Sequence, residues 1–304
     1  MHPQQLPKVA DRNSSDVPPN PSRLQSAHWL SLALVLLALG IATSSILGPF
    51  GLGLMRYRTS HTTLNQLIGS DAATLLVVAP LTLAAAALTA RRRPVGPLLA
   101  LGVGMYALYT YAQIIIGQEY LRLPGNVERF FPLLLTVFLA AEAVVVLAWR
   151  LAPPTPRPSL RLERTAAVVL LLVAAFLVFG QHLGPILTAW RDPAALTEYA
   201  SSPTPFWMVK LMDLGIIVPA AVATAVGLLK GAAWARRATY VLLTGYMCLA
   251  IAVAGMALTM YANADPDASL GLVVGFVAFA LAFVTLTVFF YRPFLSRSAP
   301  DGSA

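Results

Sequence analysis

The stretch FPLLLTVFLAAEAVVVLAW, Phe131–Trp149, decides how this chain is read. It is apolar throughout except for Thr136 and Glu142. A helix needs about 20 such residues to cross the hydrocarbon core of a bilayer. Lipid offers no partner to a free backbone group, and the run lacks the period-two alternation of a barrel strand, so it crosses as a helix. Seven other runs share this character, which gives eight spans: Trp29–Gly48, Ala72–Ala90, Val95–Gly117, Phe131–Trp149, Thr165–Gly180, Trp207–Leu229, Ala238–Tyr261 and Leu270–Tyr291. The fifth is the shortest and has residues to borrow on either side. The expected fold is an all-α polytopic membrane bundle of eight transmembrane helices.

Composition agrees. Of 304 residues, 58% are hydrophobic and 11% charged, with a mean hydropathy of +0.71. Soluble domains carry about 25% charged residues, so this chain has too little polar surface for water. With Gly at 20, Pro at 23 and Cys at 1, the collagen, disordered and disulfide-scaffold classes are excluded as well. The net charge of +8 sits mostly in short loops between apolar runs, where it sets topology and does not mark a nucleic-acid partner. With the N-terminus inside, fifteen Lys and Arg residues fall on the cytoplasmic side, Arg91, Arg92 and Arg93 among them, against six outside. That bias predicts both termini in the cytoplasm.

Residues 1–27 are polar and read as a disordered cytoplasmic tail. Asp11, Asp16 and the length of the following run argue against a cleaved signal peptide. Residues 28–292 form the membrane domain, and 293–304 a second cytoplasmic tail. Two outer connections, Pro49–Asp71 and Gln181–Phe206, are long and carry aromatic residues. They read either as interfacial helices capping the outer mouth or as ordinary loops.

An internal duplication is legible. Spans one and five end in Gly48-Pro49 and Gly184-Pro185, and spans two and six carry Asp71 with Pro80 and Asp213 with Pro219. Both then reach a basic turn, Arg91–Arg93 and Lys230–Arg237. Tandem four-helix halves in parallel orientation are expected. Asp71 stands nine residues before Pro80 but Asp213 only six before Pro219, so the register of the repeat stays open.

Glu142 is the first candidate for chemistry. It lies near the centre of span four, where a charge costs a few kcal/mol on insertion scales. A carboxyl at that depth either binds a proton or cation, or serves as hydrogen-bonding glue between helices. It is expected to face the bundle interior. On span three, Tyr106, Tyr109, Thr110 and Gln113 recur at helical spacing and form one polar stripe. The stripe either packs or lines a cavity leading outward. Asp71, Glu119 and Asp213 would shape the outer mouth, with Lys210 one turn before Asp213 and able to neutralise it. The GLVVG at Gly271–Gly275 fits small-residue helix packing. The four histidines make no metal-binding spacing, no phosphate loop or nucleophile elbow occurs, and neither a metal nor a cofactor is implied.

The segments GMYALYTYAQ (Gly104–Gln113), LPGNVERFFPLL (Leu123–Leu134) and MDLGIIVP (Met212–Pro219) resemble a broad bacterial group of uncharacterised multi-pass membrane proteins. The resemblance implies a bacterial cytoplasmic membrane protein and carries over no catalytic or binding residue. Three functions follow from the residues. The leading one is passage or sensing of a small solute or proton through an intramembrane carboxyl. The others are a membrane enzyme acting on a lipid-like substrate at the outer face with Glu119 and Asp213, and a structural subunit with a dry interior. A non-enzymatic role is favoured. The expected partners are the bilayer and a small solute or proton.

Overall fold

The computed structural model describes residues 21–156 and 158–296. It contains eight helices long and apolar enough to span a membrane: α1 (Leu24–Leu47), α2 (His61–Ala90), α3 (Val95–Ile116), α4 (Val127–Leu151), α5 (Leu160–Arg191), α6 (Pro203–Leu229), α7 (Ala233–Ala262) and α8 (Leu270–Phe294). The protein is an all-α bundle, and its eight spans are those expected from the sequence.

The ends differ more than the centres. Helix already begins at Pro21, inside the segment expected to be a tail, and the last helix runs on to Ser296. The rest of both tails lies outside the described residues. Half of the first long connection is helical, because α2 starts at His61, where the Ser60 side chain accepts from the Thr63 amide. α5 does not stop at Gly180 but continues through Gly184-Pro185 to Arg191. α1, by contrast, ends at Leu47 just before its own Gly48-Pro49.

The first four helices close on themselves: α1 packs on α2 and α4, and α3 packs on the same two. The last four form an open chain in which α5 packs on α6, α6 on α7 and α7 on α8. Among the described residues α5 and α8 share no long seam; they meet through the Phe176 and Phe279 rings, 6.4 Å apart. α7 joins the halves by packing against both α2 and α3. Small residues set these close approaches, as expected where lipid supplies no hydrophobic drive between helices. A Cβ on Gly69 would overlap the Gly255 backbone across α2 and α7, and one on Gly102 would meet Thr244 across α3 and α7. Gly271 and Gly275, by contrast, are exposed and meet no other helix among the described residues, so the glycines of the GLVVG motif set no internal seam there.

One fixed offset relates α2–α3 to α6–α7. It pairs Pro80 with Pro219 and the π-helical turn Thr74–Val78 with the π-helical turn Asp213–Ile217. It also pairs Arg92 (φ 58°) with Gly231 (φ 71°), the left-handed residue of each tight interhelical turn. Thr74, and not Asp71, is therefore the counterpart of Asp213. The three-residue discrepancy in the sequence comparison arises from matching the wrong residue of α2.

Candidate functional site

The two halves differ at one crossing. In the first half α2 and α7 touch through Gly69 and Gly255. The same offset puts Met208 of α6 in the place of Gly69, and the Met208 side chain fills the space beside Gly117 of α3. A thioether stands where the other crossing has bare backbone. α6 and α3 meet here through that side chain, and a cavity of about 350 Å³ lies between α2, α3, α5, α6, α7 and α8.

Its polar wall is built from several helices. α3 contributes Tyr109, Thr110 and Gln113, three of the four stripe residues. α5 contributes Gln181 and His182, α6 contributes Lys210 and Asp213, and α7 contributes Tyr246. Asp213 is the centre of this wall. The Tyr109 hydroxyl donates to its Oδ1 at 2.5 Å, and His182 Nε2 lies 2.8 Å from its Oδ2. Both Asp213 and His182 stand in π-helical turns, Asp213–Ile217 and Phe176–His182. Such turns concentrate at functional sites because they re-aim one side chain and loosen the local backbone ladder. Tyr246 donates to the Ile217 carbonyl in the α6 turn. Phe176, Phe279 and Phe283 form the apolar side.

Lys210 makes no direct ion pair with Asp213 among the described residues, although its spacing suggested one. Its ammonium lies 3.2 Å above the centre of the Phe206 ring and 3.8 Å from Glu198, which a short helix Thr197–Ser201 brings over the cavity. That helix belongs to the second long connection, so part of this connection caps the bundle.

The other expected site residues are elsewhere. Tyr106 is buried and shares a 2.6 Å hydrogen bond with Thr74 in the closed half. Its neighbours on the stripe turn toward the cavity while Tyr106 turns away. Asp71 is buried beside Gly48 and accepts from the Tyr57 hydroxyl at 3.2 Å. Burial, reinforced by Asp71, pushes the Tyr57 phenol well above its ordinary range, so it stays a donor. Glu119 is buried too, accepting from the Thr204 amide at 2.7 Å and pairing with Arg122 at 3.5 Å. Neither carboxylate lines the cavity; both anchor loops at the long-connection end.

Glu142 is a correction. Its side chain is exposed on the outer face of α4 and makes no hydrogen bond or ion pair among the described residues. The buried stripe of α4 is Leu134, Val137, Ala141, Val144 and Ala148, and it packs toward α1 and α3. Glu142 lies a full 100° step around the helix from Ala141 and shares its face with the exposed Leu135, Leu139 and Val146. It cannot serve as an interior proton site.

The sequence missed His182 because span five was ended at Gly180, which left Gln181-His182 in a loop. The break of an apolar run by Gln-His was the available signal. Among the described residues no group of three or more His, Cys, Asp or Glu side chains assembles for a metal. These features define a multi-pass membrane protein with a largely apolar cavity that gathers polar side chains on one wall. Compared with models of known protein families, with curated proteins and with solved structures, the chain matches none.

Proposed function

We propose that this protein takes up a small solute or proton in the cavity beside Asp213, for passage or sensing across a membrane. The supporting observation is the convergence of Tyr109, His182 and Asp213 from three spans on one side of a 350 Å³ cavity. Convergent polar groups in a largely apolar pocket are the usual form of a small-molecule site, and an ionisable group inside a membrane segment marks a pathway by default. Asp213 takes the role first assigned to Glu142. The basic loops argue for cytoplasmic termini, so the cavity would lie in the outer half of the bilayer. A structural subunit would have a packed interior, which this half lacks. A lipid-directed enzyme sharing Glu119 and Asp213 is disfavoured, because Glu119 is held by Thr204 and Arg122 away from the cavity.

The test is proton flux into liposomes holding a pH-sensitive dye, driven by a potassium diffusion potential. Wild-type and Glu142→Gln protein should carry flux alike. Asp213→Asn should lose most of it, since removing a transition-critical charged partner typically costs tenfold or more. Flux in the wild type no greater than in Asp213→Asn contradicts the reading.

A further inference from the structure

The charges facing the cavity do not balance, and that imbalance specifies a solute; the argument rests on the reading of this cavity as a solute or proton site. α6 supplies Asp213 and Lys210, α5 supplies His182, and the short helix Thr197–Ser201 supplies Glu198. The titratable groups that α3 and α7 add to the lining are the phenols Tyr109 and Tyr246, and α2 and α8 add none. Two carboxylates face one ammonium. With a neutral imidazole the site is one positive charge short, and a poorly solvated charge without compensation is expensive. Two kinds of event close the balance: a proton held by the His182–Asp213 pair, or a bound cation.

The remaining lining selects the kind of cation. Phe176, Phe276, Phe279 and Phe283 join Tyr109 and Tyr246 around the cavity, giving six aromatic side chains in the lining that holds Asp213. Aromatic faces attract alkylammonium and quaternary ammonium groups, and this attraction grows where water is excluded. The same chemistry occurs at the edge of the cavity, where the Lys210 ammonium rests on the Phe206 ring. A metal ion stripped of its water would need several charged or imidazole ligands, and among the described residues no group of three or more His, Cys, Asp or Glu assembles. An anion would have to displace Glu198 from Lys210 and then sit near Asp213.

We propose that the cavity binds an organic cation, an amine or quaternary ammonium with apolar substituents, in exchange for a proton held by the His182–Asp213 pair. No covalent bond forms in the exchange. The imidazolium releases one N–H proton to water, and the cation takes its place as the positive charge compensating Asp213. Tyr109 keeps its hydrogen bond to Asp213 throughout. Proton and cation compete, so by linkage each weakens the binding of the other to the same degree. The cation therefore binds more weakly as pH falls and the pair takes up its proton.

The experiment is calorimetric titration of the full chain in lipid nanodiscs with benzyltrimethylammonium, run in two buffers of different ionisation enthalpy at about pH 5.5 and about pH 8. The expected result is release of about one proton per cation at the lower pH and close to none at the higher, with tighter binding at the higher. Asp213→Asn should weaken binding about tenfold or more. Lys210→Met removes the cavity's ammonium without touching Asp213 and should tighten binding, which keeps the charge argument testable if Asp213→Asn fails to fold. His182→Gln should end the proton release. Equal binding of the neutral isostere neopentylbenzene, absence of proton release at low pH, or no binding of the cation overturns the proposal. Preference for benzenesulfonate, lost in Lys210→Met, overturns the cation class while leaving the cavity a solute site. Proton flux that depends on Asp213 in a protein that binds no cation would overturn only this inference and leave the underlying reading standing.

Discussion

Two carboxyls in membrane-spanning helices have opposite fates in this protein. Asp213 has Tyr109 and His182 as partners, whereas Glu142 has none among the described residues and faces outward. Sequence gives the depth of a residue along a span more readily than its face. The conspicuous charge drew attention to Glu142, but the wheel of α4 held the answer. Ala141, Val144 and Ala148 mark the packed side, and Glu142 sits with Leu139 and Val146 on the other. Tyr109, Thr110 and Gln113 were recognisable because three polar residues at helical spacing in an apolar run need an interior surface. His182 was not, since its role depends on α5 continuing past Gly180. These fates predict different mutational costs. Glu142→Gln should change unfolding stability by no more than about 0.5 kcal/mol, as for surface substitutions generally. Asp213→Ala strands the Tyr109 hydroxyl and should cost about 1–3 kcal/mol. Reversible unfolding in mixed micelles measures both; a larger loss for Glu142→Gln than for Asp213→Ala would overturn this assignment.

At the scale of helices, glycine placement decides which crossings close. Gly69 and Gly255 let α2 and α7 meet backbone to backbone, while the Met208 side chain stands between the backbones at the corresponding α6–α3 crossing. The basic turns, the paired prolines and the eight apolar runs were all readable from sequence. The π-helical turns were not, because no residue pattern fixes where a helix takes an extra residue. Only with those turns placed does Thr74 align with Asp213. Gly69→Val should therefore destabilise the protein by about 1–3 kcal/mol or prevent its folding, since the neighbouring backbone cannot retreat. Gly275→Ala, where an added Cβ meets nothing within 4 Å, should be neutral or gain up to about 1 kcal/mol from helix propensity. Thermal unfolding of the purified variants separates the two; equal midpoints would contradict the close-packed seam.

Across the whole molecule, the tandem halves divide structure from chemistry. The first half is closed, with Thr74 and Tyr106 satisfying each other where the second half has Asp213. The second is open between α5 and α8 and carries the cavity, with α7 as the shared wall. Length, composition and loop charge were enough to establish a multi-pass membrane protein of eight spans, because lipid permits so few architectures. They could not reveal that a near-repeat leaves one half packed and the other hollow. The central claim, a water-accessible cavity that gathers polar side chains on one wall, can be tested by cysteine labelling in liposomes. The native Cys248 is buried and gives a quiet background. A water-soluble cationic thiosulfonate reagent should modify Gln113→Cys, which lines the cavity, and leave Thr82→Cys in the packed half unmodified. A Gln113→Cys protein as inert as Thr82→Cys would contradict the account.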